Sequence, residues 1–234
     1  MAAKPTIIAF DADDTLWHNE RFFKISQDRF AQLLRPYTEQ DHLSERLIAS
    51  ERRNLGRYGY GIKGFMLSMI ETAIEVTDQQ IPASVISELL AVGQDMLAHP
   101  IDLFPGVVDV ITQVSQDHQV LLITKGDLLD QERKLAQSGL GDHFDGVEIV
   151  SEKQPATYAK IFAGYGVAPE RAMMIGNSMK SDVLPALAIG AWGIHVPFDL
   201  TWALEHAEKP SNQSRFRELS ELTELPALLG EIEL

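Results

Sequence analysis

Thr6–Leu16 reads TIIAFDADDTL, and its two halves ask for opposite surroundings. The run Thr6-Ile7-Ile8-Ala9-Phe10 has the length and apolar content of a buried strand. Asp11, Asp13 and Asp14 follow at once, with Thr15 behind them. Packing does not explain three carboxylates within four residues, which repel one another unless a positive charge stands among them. Ligands of open α/β sheets bind beyond the carboxyl ends of the strands. The pattern therefore sets a dense negative cluster where an active site belongs, with a divalent cation as its natural neutraliser. The alternative is a solvated acidic turn in which Asp or Thr caps a helix.

Outward from this stretch the chain changes character twice. From Glu20 to about Pro100 the apolar residues fall at helical spacing, as in Phe22, Phe23, Phe30, Leu33 and Leu34, and no strand pattern intervenes. This block reads as a helical bundle. Its pattern is broken at Tyr58-Gly59-Tyr60-Gly61, within the stretch Arg52–Gly64 where three arginines, a lysine and two tyrosines mix with glycines. From Phe104 onward strands alternate with helices: His118–Thr124, Gly146–Val150, Arg171–Ile175 and Ala191–Val196 read as strands. That alternation indicates βαβ units and a parallel sheet. With Thr6–Phe10 it predicts an α/β fold, a Rossmann-like sheet of five parallel strands with a helical bundle inserted after the first. The expected division is a core of residues 1–16 and 101–234 and a helical domain of residues 17–100. Phe216–Leu229 reads as one more amphipathic helix.

Composition narrows the function. The chain has 234 residues and a net charge of −14, from 34 acidic and 20 basic residues, which argues against nucleic acid or an anionic membrane as partner. No cysteine is present, so disulfides, thiolate metal sites and a cysteine nucleophile are excluded. Met1–Pro5 lacks the layout of a secretory signal, and no apolar run approaches the roughly 18 residues of a membrane span. A soluble cytoplasmic protein is the expectation.

The remaining strand ends repeat the pattern of the first. The second ends in Thr124-Lys125-Gly126-Asp127, a hydroxyl, a cation and a permissive glycine suited to an anionic oxygen. After the third comes Lys153, which beside three aspartates acts as charge compensation. The fourth ends in Gly176-Asn177-Ser178-Met179-Lys180-Ser181-Asp182, where Asn177 and Asp182 offer oxygen ligands for a hard cation. Singly, each has a bland reading as a cap or a solvated loop. Together, Asp11-x-Asp13-x-Thr15, Thr124, Lys153 and Gly176-Asn177-Ser178-x-x-Ser181-Asp182 resemble the four motifs of the haloacid dehalogenase-like hydrolase superfamily. The resemblance runs from Thr6 to Val196 and includes the Leu103-Phe104-Pro105-Gly106-Val107 lead-in. The helical block resembles the α-helical cap of one large subgroup. The fourth motif departs from the common Gly-Asp by reading Gly-Asn.

The resemblance implies a magnesium-dependent phosphatase working through an aspartyl-phosphate. Asp11 would be the nucleophile and Asp13 the general acid and base. Thr124 and Lys153 would hold the phosphoryl oxygens, and Lys125 and Gly126 would bind substrate beside them. Mg2+ would be held by Asp11, the Asp13 carbonyl, and Asn177 or Asp182. Asp14 is expected to face outward, Thr15 to brace the turn, and His195 to lie in the core or at a strand edge. Asp13 separates this reading from true dehalogenases, which typically carry tyrosine there. A phosphomutase of the same superfamily and an impaired phosphate-binding module are the alternatives. The expected partner is a small phosphate ester, a nucleotide or a sugar phosphate, met in part by Asn54 and Lys63 of the basic, glycine-rich stretch.

Overall fold

The computed structural model of the chain describes residues 5–232. Its sheet has the order β3-β2-β1-β4-β5-β6 and is parallel throughout. The strands are β1 (Ile7–Phe10), β2 (Gln119–Lys125), β3 (Gly146–Val150), β4 (Ala172–Gly176), β5 (Trp192–His195) and β6 (Phe216–Glu218). Strand β1 is central and wholly buried, with Phe10 in register with Leu122 on one side and Ile175 on the other. The chain winds one way from β1 to β3 and the other way from β4, so the β1–β4 boundary is the topological switch point where such sheets open a crevice.

Alternate side chains of the strands serve opposite faces. Ile8, Phe10, Val120, Leu122, Met173 and Ile175 pack with Val107, Val110, Ile111 and Val114 of α5 (Val107–Val114) and with the C-terminal helix. Ile7, Ala9, Leu121, Ile123 and Met174 pack with Tyr158, Ile161 and Phe162 of α7 (Pro155–Gly164). Burial on both faces explains why these strands read as continuous apolar runs. Between β2 and β3 lies α6 (Leu128–Ser138). Between β4 and β5 the chain makes a π-helical turn, Met179–Val183, that runs into α8 (Leu184–Ala188).

The described chain divides into two compact units. One holds residues 5–20, Ile101–Lys125 and 131–232; the other holds Arg21–Pro100 and Gly126–Asp130. The second is built on α1 (Glu20–Leu34), α2 (Gln40–Tyr58), α3 (Ile62–Val76) and α4 (Ala83–Ala98). These helices close on a core that includes Phe30, Leu34, Leu47, Phe65, Met69 and Leu89. Gly126–Asp130, remote in sequence from the helices, is tied to them by Lys63 Nζ donating to Asp127 Oδ1 at 2.9 Å.

Two expectations are corrected. The sheet has six strands among the described residues, because Phe216–Glu218 pairs with Gly193–His195, and the last helix, α9, spans only Leu225–Ile232. The guanidinium groups of Arg215 and Arg217 lie over the Trp192 ring at 5.7 and 5.4 Å, fixing this short strand by contacts that no local periodicity encodes. The helical break expected at Tyr58–Gly61 falls there to within one residue. Helix α2 continues to Tyr58, and only Gly59-Tyr60-Gly61 interrupts it, with Gly59 (φ 72°) and Gly61 (φ 105°) in backbone conformations that favour glycine. No helix among the described residues is long and apolar enough to cross a membrane.

Candidate active site

Past Phe10 the backbone of β1 continues for one more sheet bond, Asp11 N donating to Ile175 O at 2.8 Å, and delivers the Asp11 side chain to the switch point. There it is buried and held from two directions. Lys153 Nζ donates to Asp11 Oδ1 and, at 2.7 Å, to Asp182 Oδ1. Thr15 Oγ1 donates to Asp11 Oδ2 at 3.1 Å and lies 3.4 Å from Asn177 Oδ1, while Asn177 N donates back to the same hydroxyl at 3.1 Å. One threonine thus brackets the nucleophile candidate and the fourth-motif amide.

Asp182 is 1% exposed and both its oxygens are engaged, one by Lys153 and the other by Ser178 N at 2.9 Å. Gly176 makes room for it: a Cβ at Gly176 would fall 2.2 Å from Asp182 Oδ2. The turn that presents Asn177 is fixed from behind by His195, whose Nε2 is 3.1 Å from Asn177 O and whose Nδ1 is 2.9 Å from Glu218 Oε2.

Burial, with the Asp182 carboxylate nearby, pushes the Asp11 carboxyl up from an ordinary 3.8 to about 7, against the pull of Lys153. Burial disfavours the Lys153 ammonium, but Asp11 and Asp182 outweigh it and hold the proton more tightly than usual. Asp13 is the opposite case. Its burial is overcome by Lys134 Nζ, 3.0 Å from both oxygens, by Gln131 Nε2 at 2.9 Å and by Trp17 Nε1 at 2.7 Å, so its carboxyl is held below the usual range.

Asp14, expected to face outward, is instead buried. Its carboxylate accepts from Asn19 N at 2.8 Å and from Glu20 N at 2.9 Å, capping the entry to α1 from a left-handed backbone (φ 60°) that Asp tolerates. Burial lifts its carboxyl to about 7.

At the end of β2, Thr124 is 2% exposed and its hydroxyl has no hydrogen-bond partner among the described residues. A buried polar atom without a partner costs free energy, which an oxygen of a ligand bound at this strand end would recover. Lys125, next in the chain, donates to Ser181 Oγ at 3.0 Å and lies 3.5 Å from Glu152.

Asp11, Lys153, Asn177 and Asp182 are therefore joined through direct contacts or one shared hydroxyl, with Asp13 and Thr124 on the flanking segments. Gly126, Asn54 and Lys63 belong to the helical unit. The expectation that Asn54 meets substrate is corrected. It is 1% exposed, and its Nδ2 donates to Ser68 Oγ at 3.1 Å and Glu71 Oε2 at 2.8 Å, joining α2 to α3. Asn54→Ala is expected to lower the stability of this unit by about 1–3 kcal/mol, measurable as a shift in urea midpoint. An unchanged midpoint would refute the packing role.

Lys63 is half-exposed on its ion pair with Asp127. Sequence reasoning missed Gln131 and Lys134, whose three-residue spacing on α6 puts both on one face. That spacing was legible, but the partner Asp13 was not.

Residues 5–190 match the family described as haloacid dehalogenase-like hydrolase. The chain belongs to that family. A haloacid dehalogenase-like family hydrolase from Xanthomonas campestris is similar at 41% identity and a TM-score of 0.88, over 97% of this chain and 91% of that one. A glyceraldehyde 3-phosphate phosphatase from Methanothermobacter thermautotrophicus is 24% identical over 86% of this chain and 90% of its own length. Pyrimidine 5'-nucleotidase YjjG from Escherichia coli is 28% identical over 53% of this chain and 56% of its own. As a family member this hydrolase carries its nucleophile candidate where β1 ends, at the switch point of the sheet.

Proposed function

We propose that this hydrolase is a phosphoric monoester hydrolase acting on a small phosphorylated metabolite through an aspartyl-phosphate. The observation that carries the reading is a buried carboxylate, Asp11, clasped by a lysine that a second buried carboxylate anchors, with an unpartnered Thr124 hydroxyl at the adjacent strand end. The similarity to relatives named as phosphatases supports it.

In this reading one Asp11 oxygen attacks phosphorus and the alkoxide leaves, forming the acyl-phosphate; water then attacks that phosphorus and frees Asp11. Thr124 donates to a phosphoryl oxygen, which satisfies its buried hydroxyl, and the Lys153 ammonium offsets the charge of the phosphoryl group. The protonated Asp13 carboxyl gives its proton to the leaving oxygen, and the carboxylate so formed takes one from the attacking water, which restores it. Lys134, Gln131 and Trp17 hold its carboxylate in place and favour the ionised form, which is the form the water step requires.

Among the described residues no group of three or more His, Asp or Glu side chains stands together as a metal site. The oxygen donors that would hold a hard cation such as Mg2+, with several waters retained, are Asp11 and the Asn177 amide, which meet at the Thr15 hydroxyl, and the Asp13 carbonyl. Asp182 ranks behind Asn177 in this set because it is 1% exposed and lies beneath Lys153 and Ser178 N. The raised Asp11 carboxyl also fits, since a cation there would restore the ionised nucleophile. Bound magnesium would supply charge neutralisation between the Asp11 carboxylate and the phosphate. Lys63 stays in the proposal as a specificity residue, and the four-helix unit as a cap.

The test is release of inorganic phosphate from p-nitrophenyl phosphate with and without metal. Chelation is expected to lower turnover by about two orders of magnitude or more, and added Mg2+ to restore it. No release under any divalent metal would favour a phosphate-binding module instead. Transfer to a sugar-phosphate acceptor that becomes bisphosphorylated would favour a phosphomutase.

A further inference from the structure

The carboxylate of Glu205 sits in a ready-made oxyanion receptor. Lys125 Nζ donates to its Oε1 at 2.8 Å, and Ser178 Oγ donates to its Oε2 at 2.7 Å, as does Ser181 Oγ. Each donor is the immediate chain neighbour of a residue at the candidate active site: Lys125 follows Thr124, Ser178 follows Asn177, and Ser181 precedes Asp182. Lys125 leaves the end of β2 and the serines leave the turn after β4, while β1 lies between those two strands. The three donors therefore converge from either side of the strand that carries Asp11.

Their occupant comes from elsewhere. Glu205 belongs to residues 197–215, which form neither helix nor strand. A second tie to the turn after β4 is Lys180 Nζ donating to Leu204 O at 2.6 Å. The Glu205 side chain is only 15% exposed, so an acidic group of an irregular segment is largely shielded from solvent beside a candidate phosphate site. Lys125 and the two hydroxyls hold its carboxyl below the usual range in spite of that burial.

We propose that Lys125, Ser178 and Ser181 form a second oxyanion subsite of the active site, that Glu205 occupies it as an internal stand-in, and that the preferred substrate is a small phosphate ester whose second anionic group displaces Glu205. This rests on the phosphatase reading above. The exchange is chemically even: one oxyanion replaces another on the same ammonium and hydroxyls, and the 197–215 segment is released. Glu205 acts as a tethered competitor, reducing apparent affinity for a charged ester by the fraction of time the subsite is open.

Three matched esters test this: propyl phosphate, 3-phosphooxypropanoate and propane-1,3-diol bisphosphate. In the wild type at least one charged ester is expected to exceed propyl phosphate in kcat/KM by about tenfold or more, one ammonium and two hydroxyls being the discriminating contacts. The better of the two names the anion as carboxylate or phosphoryl. Glu205→Gln is expected to lower KM for that ester by roughly tenfold relative to propyl phosphate. Lys125→Met is expected to erase the preference, and Ser181→Ala to reduce it.

Equal kcat/KM for charged and neutral esters in the wild type would overturn the inference, as would a Glu205→Gln variant in which all the KM values move together. Should Glu205→Gln fail to fold, the other two variants decide, and a preference that survives both overturns the proposal. Turnover without discrimination removes this inference alone, whereas no phosphate from any ester removes the phosphatase reading with it.

Discussion

Replacing Asp11 with Asn is expected to reduce magnesium-dependent phosphate release by about four orders of magnitude or more while the protein stays folded. The two halves of this expectation have separate causes. Activity is lost because an amide oxygen cannot form the acyl-phosphate. Stability is retained because Lys153 keeps Asp182, and the Asn oxygen still accepts from Lys153 while its amide N–H donates to the Thr15 hydroxyl.

The pH dependence gives an independent check. The Asp11 carboxyl is raised from 3.8 to about 7 in the folded protein, so over that range the folded state binds a proton that the unfolded state has released. Stability contributed by this group therefore falls as pH rises from 3.8 to about 7. Asn has no such dependence. The stability of Asp11→Asn relative to wild type, measured without metal by urea denaturation, should improve as pH rises across that window. Retained turnover in the variant would overturn the nucleophile assignment, and a relative stability that declines with pH would overturn the electrostatic account.

Lys153→Met is expected to have the largest effect on stability, about 3–5 kcal/mol at pH 8, together with loss of activity by roughly three orders of magnitude. Lys153 is 4% exposed and its ammonium lies between two carboxylates that are themselves buried. Without it Asp11 and Asp182 face each other with no cation, and each disfavours ionisation of the other. The penalty exists only while both are ionised, so it is relieved once acid protonates Asp11, whose carboxyl is already raised toward neutrality. The variant should therefore recover stability on acidification. Adding Asp182→Asn should restore part of the stability at pH 8 and none of the activity. A Lys153→Met protein as stable as wild type at pH 8 would refute the clasp.

How much of this was legible in the sequence depended on whether the signal was local. The strands β1, β2 and β4 announced themselves as uninterrupted apolar runs because both their faces are buried, and the chemistry at their ends stood out against that background. β6 did not, since Phe216–Glu218 is a strand only through pairing with β5 and the Arg215 and Arg217 contacts to Trp192. Asn54 was misread for a related reason. A polar residue among arginines and glycines looks solvent-facing, yet its partners Ser68 and Glu71 arrive from the next helix.

The sequence by itself determined the α/β core with its inserted helices, and the set Asp11, Asp13, Thr124, Lys153, Asn177 and Asp182 as the residues standing at strand ends. Strand ends are local events, written in the abrupt change from apolar to polar residues. Only the tertiary structure decided what each of those residues holds. It separated Asp11, raised toward neutrality beside Lys153, from Asp13, depressed by Lys134. It turned Asp14 from bystander into helix cap, and withdrew Asp182 behind Lys153 so that Asn177 faces the Thr15 hydroxyl. Charge and burial act through space, and the partners that set them lie as much as 171 residues apart in the chain, from Asp11 to Asp182.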